Sequence, residues 1–237
     1  MDNELNLTHH ISHRFNEELE EVRSNVMAMG GLVEKQVADG IKALLTSDTE
    51  IAEAVASSDF EVNAMEVAID EQCTQILARR QPAASDLRLL VTIIKTITDL
   101  ERIGDEAEKL GHIAVKLSDK NASSSQFVEL RHLGEHVKTM LHESLDAFAR
   151  MDVNDALRTI ESDKLVNEEF ESIMRQLITR MMEDPREIKN TLRVSWCARA
   201  LERIGDHAKN VCENVVYLVK GKDIRHTSLD KMREELI

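Results

Sequence analysis

The hexapeptide Leu100-Glu101-Arg102-Ile103-Gly104-Asp105 returns letter for letter as Leu201-Glu202-Arg203-Ile204-Gly205-Asp206, 101 residues further along the chain. Across 96–115 and 197–216 only Ala107/Ala208 and Val115/Val216 match besides these six, so the flanks have diverged while the hexapeptide has not. On a helix, Glu101 and Asp105 stand at i and i+4, one above the other, and Glu202 and Asp206 repeat the arrangement. Glycine inside a helix costs roughly 1 kcal/mol relative to alanine. Its presence at both 104 and 205 therefore predicts a close backbone approach at each.

A chain of 237 residues allows one large or two small domains, and the repetition favours two similar halves. Charged residues make up 31% and aromatic residues 3%, with two prolines, a composition of long amphipathic helices rather than sheets. The predicted fold class is all-α. A net charge of −14 repels phosphate backbones, so no nucleic-acid partner is expected, while divalent cations or a basic partner surface suit that sign. Cys73, Cys197 and Cys212 are odd in number and lack CxxC spacing, which implies neither a disulfide framework nor a zinc ribbon and fits a reducing cytoplasm. The first fifteen residues are polar, and the longest apolar runs fall far short of a membrane span. A soluble protein without direct membrane insertion is expected, with docking on a membrane complex left open.

Apolar residues recur every three to four positions from about Ser12 to Leu45, from about Asp48 to Arg80 and from about Ser85 to Leu117, which predicts three long helices. Thr46-Ser47-Asp48 supplies an N-cap, and Pro82 breaks the pattern between the second and third. The polar stretch from Ser118 to Gln126 reads as a linker. The same rhythm follows over about Phe127 to Arg150, Asp152 to Glu183 and Pro185 to Lys220. The first two helices align at an offset of 104 and the third at 101. Asp184-Pro185-Arg186-Glu187 is a well-formed helix start. The expected architecture is two tandem three-helix bundles, six long helices, with a first bundle over 1–121, a second over 122–220 and a frayed tail over 221–237.

Asp59-x-x-x-Asn63 and Asp163-x-x-x-Asn167 repeat the i,i+4 geometry on the second helix of each half. Two neighbouring helices then present oxygen ligands to one crevice per half: Asp59, Asn63, Glu101 and Asp105 in the first, and Asp163, Asn167, Glu202 and Asp206 in the second. Oxygen donors without Cys or His suit divalent ions such as Mg, Mn, Fe, Zn or Ni. The competing reading of these acids is a solvated helix flank.

The two LERIGD copies, the run from Ala78 to Arg88 and Met27-x-Met29-Gly30-Gly31 resemble the PhoU family of bacterial phosphate-regulon accessory proteins across essentially the whole chain. The resemblance implies two three-helix bundles in a cytoplasmic, homodimeric, non-enzymatic regulator. It implies an adaptor that links the ATPase of the phosphate-specific ABC transporter to a phosphate-sensing histidine kinase and represses the phosphate regulon. It also implies metal sites from Asp59, Glu101 and Asp105 and from Asp163, Glu202 and Asp206. Where the family motif ends in a second aspartate, this chain has Asn63 and Asn167, which removes one negative charge per site and points to a single weakly held ion. The alternative class is a metal store or metal-dependent enzyme built on the same carboxylates.

Other constellations are weaker. His132-Leu133-Gly134-Glu135-His136 spells the inverted zinc-protease pattern, but the first half has Ala28 and Leu32 at the matching places, and a solvated helix face explains it better. Glu129-x-x-His132 is half of a di-iron pattern that needs two such pairs. His9, His10 and His13 read as frayed polar residues. Trp196 and Tyr217 are expected to fill the second core. Arg79, Arg80 and Arg88 fit both a docking face and helix-dipole complements. No glycine-rich phosphate loop is present.

Overall fold

The computed structural model describes residues 13–118, 128–225 and 227. Among the described residues the chain is helical throughout: α1 (His13–Thr46), α2 (Thr49–Val55), α3 (Asp59–Arg80), α4 (Ala84–Ser118), α5 (Val128–Arg150), α6 (Val153–Glu183) and, after a 3-10 turn at Pro185–Glu187, α7 (Ile188–Lys220). The linker core 119–127, with His9 and His10, lies outside the described residues.

The capping signals work as their chemistry requires. Asp48 accepts from the Ile51 amide at 3.1 Å, and Asp152 accepts from Asn154 and Asp155 at 2.9 and 3.1 Å. The preceding residues, Ser47 and Met151, both take positive φ (55° and 54°), so even the tight turn into the second helix is duplicated. Asp184 caps through the Arg186 amide, and Pro185 opens the 3-10 turn.

One rod departs from expectation. The helix foreseen over Asp48 to Arg80 is interrupted at 56–58, giving α2 and α3, whereas its counterpart α6 is unbroken. Gly111 supplies the reason. A Cβ there would lie 2.8 Å from the Ala56 nitrogen and 2.9 Å from the Ala52 oxygen, so the α2 backbone rests directly on α4. The equivalent residue in α7 is the buried Cys212, whose side chain occupies the space that Gly111 leaves open, and α6 beside it is unbroken. Side chains of Ser57 and Ser58 bond back to the carbonyls of Glu53, Ala54 and Val55, closing the end of α2.

The halves meet through a reciprocal contact of the kind a twofold relation produces. Gly30 of α1 faces Leu145 of α5, and Gly134 of α5 faces Ile41 of α1, with the would-be Cβ atoms 2.7 and 3.0 Å from the partner side chains. Gly30 and Gly134 are equivalent, as are Ile41 and Leu145. The α4–α7 pairing is the most extensive in the molecule, and the apolar core runs through both halves without a break.

Two expectations about side chains are corrected. Trp196 is 57% exposed rather than in the second core, and Tyr217 lies under Lys95 of the first half, with Nζ 4.9 Å from the ring centroid. The tail begins by folding back, since Ile224 is buried in the core. All three cysteines are buried free thiols, and burial pushes Cys73 up to about 12.

Candidate functional site

The duplicated hexapeptide packs against the second rod in each half. A Cβ on Gly104 would sit 3.3 Å from Val62 Cγ1, and one on Gly205 would sit 3.2 Å from Val166 Cγ1. The close approach is therefore of a valine methyl onto each glycine. With the valine seated there, Asp59 and Asn63 on α3 flank Glu101 and Asp105 on α4, while Asp163 and Asn167 on α6 flank Glu202 and Asp206 on α7.

In the first half, the Asn63 amide donates to Asp59 Oδ2. Asp59 Oδ1 and Asn63 Oδ1 are buried without a hydrogen-bond partner. Carboxylate oxygens of Asp59, Asp105 and Glu108 all lie within 4.8 Å of one another, a separation suited to one shared cation. Burial, then the charges of Asp105 and Glu108, raises the Asp59 pKa against the Asn63 hydrogen bond. Burial, then Asp105, Glu66 and Asp59, raises that of Glu101. Among the described residues no lysine or arginine pairs with Asp59, Glu101 or Asp105. Glu108 was not foreseen. It stands three residues after Asp105 on the same helix face, and its other contact is His112 Nε2 at 3.3 Å.

The second half has the same frame with different chemistry. Asn167 donates to Asp163 Oδ2 at 3.2 Å, but Lys209 Nζ reaches that same oxygen at 2.9 Å. Arg199 Nη1 donates to Glu202 Oε1 at 3.0 Å. Burial, then Asp206, raises the Glu202 pKa, and burial, then Asp163, raises that of Asp206. Burial opposes the Lys209 charge, yet the Asp163 hydrogen bond together with the charges of Asp163, Glu213 and Asp206 outweighs it and raises the pKa of that lysine. The cleft over this site, about 960 Å³, is lined by Asp163, Asp206, Lys209 and Arg225 among others.

The remaining motifs are engaged elsewhere. His136 Nδ1 is bound to Glu169 at 2.9 Å, which leaves the HxxEH pattern as a helix face. His13 pairs with Glu17. Arg80 holds Glu18 of α1 through two contacts at 2.9 and 2.7 Å, and Arg88 lies against Gly221, the C-cap of α7, where a guanidinium complements the helix dipole. No described helix is long and apolar enough to cross a membrane.

One surface feature has no counterpart in the sequence reading. Phe170, Met174, Ile178 and Met182 run along α6 at four-residue spacing, and Ile188, Leu192, Trp196 and Arg199 run along α7. Arg199 stacks over Phe170 at 5.6 Å and the short 183–187 connection ties the other end, so the two stripes lie side by side. Ile178, Met182, Ile188, Leu192 and Trp196 are all exposed.

A duplicated three-rod helical fold with an oxygen-lined crevice in each half defines a two-bundle carboxylate-bearing helical protein. The chain belongs to the PhoU family: the PhoU domain model matches twice, over residues 26–114 and 130–215. A phosphate-specific transport system accessory protein PhoU homolog of Pseudomonas aeruginosa is 53% identical over 236 residues, covering 100% of this chain and 98% of that protein. The Escherichia coli K12 protein described as phosphate-specific transport system accessory protein PhoU is 51% identical over 229 residues, 96% of this chain and 94% of its own. The crystal structure of PhoU from Pseudomonas aeruginosa superposes with a TM-score of 0.86 at 53% identity, covering 88% of this chain and 100% of that one. A Streptococcus pneumoniae phosphate transport system regulatory protein PhoU gives 0.81 at 28% identity, covering 88% and 98%.

Proposed function

We infer that this chain is an accessory protein of a phosphate-specific transport system and a negative regulator of the phosphate response. It acts in the cytoplasm as an adaptor between the transporter's ATPase and a phosphate-sensing histidine kinase, without catalytic chemistry of its own. The observation that carries this reading is full-length similarity to proteins described as accessory to phosphate-specific transport. The apolar stripes of α6 and α7 support it, because contiguous exposed Trp, Met, Ile and Leu beside Arg have the composition of surfaces that partners cover. At the positions equivalent to Phe170, Met174, Ile178 and Trp196 the first half carries Glu66, Asp70, Thr74 and Lys95, so packing of the rods does not demand apolar residues there, although Leu87 and Val91 match Ile188 and Leu192 in kind.

The first-half crevice suits a divalent cation held by Asp59, Asp105 and Glu108 with the Asn63 oxygen, while Glu101, outside that convergent group, adds negative charge beside it. Such an ion would neutralise the crowded carboxylates and lock α3 against α4. The test of the adaptor is capture of the transporter ATPase and of the kinase's cytoplasmic region by the full chain at high and low phosphate. Capture that Trp196→Asp abolishes is the expected result. Retention of neither protein at any phosphate level overturns the reading.

A further inference from the structure

Superposing the halves by their repeat sets Glu108 against Lys209, Thr98 against Arg199 and Gln36 against Met140. Each of these residues touches or adjoins its own crevice. Lys209 and Arg199 lie on Asp163 and Glu202, as described above. Gln36 is only 5% exposed; its Nε2 donates to the carbonyl of Ser58, the residue before Asp59, at 3.0 Å. Its Oε1 has no hydrogen-bond partner and would stand 3.6 Å from a Cβ on Gly104, beside Asp105. The matching neighbour of Gly205 is the Met140 sulfur, at 3.8 Å.

All three differences push the same way. In the first crevice they add a carboxylate, leave out a guanidinium and place a bare, buried amide oxygen at its edge. In the second they add an ammonium on Asp163 and a guanidinium on Glu202, and replace the amide by a thioether. Asp59, Glu101 and Asp105 have no lysine or arginine partner and Glu108 meets a histidine, His112, so these four carboxylates repel one another and draw in a cation, whereas three carboxylates bearing two tethered cations have little attraction left for one.

We propose that Lys209, assisted by Arg199, is a tethered substitute for a metal ion, so that this chain takes a single divalent cation, in the first half, and closes the second site with its own side chains. The proposal rests on the reading that the first crevice takes a cation, and it is independent of the adaptor role. Ammonium and guanidinium groups are not exchangeable, so the second half is permanently locked while the first depends on ion supply.

The test counts ions. The full chain is stripped with chelator, equilibrated with Mn(II), and the bound metal is measured by the loss of the free Mn(II) spin-resonance signal. One equivalent is expected for the unmodified chain. Transplanting the first half's residues, Lys209→Glu with Arg199→Thr, raises it to two. The reverse transplant, Glu108→Lys with Thr98→Arg, weakens binding at least tenfold and abolishes the Mn(II)-dependent rise in melting temperature, while raising the melting temperature in chelator. If the first double variant does not fold, the reverse transplant and the unmodified stoichiometry decide. Two equivalents or none in the unmodified chain, or a reverse transplant that binds Mn(II) as before, overturns the proposal. Loss of partner capture with the stoichiometries as expected would count against the adaptor and leave this inference standing.

Discussion

The two halves share one frame and differ in what fills it. In the first, α2 lies on α4 at Gly111, no lysine or arginine pairs with Asp59, Glu101 or Asp105, and the outer face carries Glu66 and Asp70 on α3 and Lys95 beside Leu87 and Val91 on α4. In the second, Cys212 replaces that glycine beside an unbroken α6, Lys209 and Arg199 sit on the acids, and the outer face carries Ile178, Leu192 and Trp196. The difference teaches that duplication preserved the geometry set by the glycine and valine pair, Gly104 with Val62 and Gly205 with Val166. The chemistry around that pair was free to split into a half whose crevice acids carry no lysine or arginine and a half whose acids are paired and whose outer face is apolar.

The comparison can be broken most severely at the rods. Gly111→Cys copies the second half into the first and drives a side chain into the α2 backbone, so a loss of about 2–3 kcal/mol is expected in urea unfolding. Cys212→Gly, the reverse copy, opens a cavity and costs about 1–2 kcal/mol through lost burial and helix propensity. Equal costs would mean that the break at 56–58 does not originate at Gly111.

A second pair concerns the crevices. Lys209→Met strands the nearly buried Asp163, with a loss of about 2 kcal/mol, below the usual cost of breaking a buried pair because the lysine is a third exposed. Glu108→Met removes repulsion instead, and metal-free protein is expected to hold or gain stability. A loss in both would show that the Glu108 contact with His112 outweighs its repulsion from Asp59 and Asp105.

The pH dependence sharpens the same contrast. Asp59 and Glu101 have raised pKa values in the folded chain, so the native state binds more protons than the unfolded one across that window. Stability of metal-free protein therefore falls as pH rises through the window. A divalent ion at tenfold its Kd returns about 1.4 kcal/mol at neutral pH, a rise of about 3–5 °C in melting temperature. That rise fades as pH falls and the ligands protonate. A metal response independent of pH through the acidic range would place the ion elsewhere. The smallest effect belongs to the outer faces: Trp196→Ser changes stability by less than about 0.5 kcal/mol, since the indole is exposed, whereas Lys95→Ala loses about 0.5–1 kcal/mol with its contact to Tyr217.

Much of this was readable in one dimension. The caps at Asp48, Asp152 and Asp184 use local hydrogen bonds, and the long seams use a helical period, so both are properties of short segments. The acids of each hexapeptide were visible for the same reason. Glu108 and Lys209 were within reach too: opposite charges at equivalent positions, three residues past Asp105 and Asp206, mark a divergence that the identity of the hexapeptide drew attention away from. Trp196 was placed in the core although it falls off the seam of Val194, Cys197, Ala198 and Leu201; its size suggested burial, whereas its period pointed outward. The interruption of the second rod was hidden because Ala56-Ser57-Ser58 carries no proline or glycine, and its cause, Gly111, lies more than fifty residues away.

The chain's own order of residues determined six amphipathic rods in two repeats and two stacked carboxylates per repeat, because helical periodicity and capping act over a few neighbouring residues. Only the tertiary structure decided that α1 meets α5 through reciprocal glycines, that α4 and α7 join the halves, and which side chains close each crevice. Those outcomes depend on groups distant in sequence reaching hydrogen-bonding or van der Waals distance, and a repeat pattern has no term for distance in space.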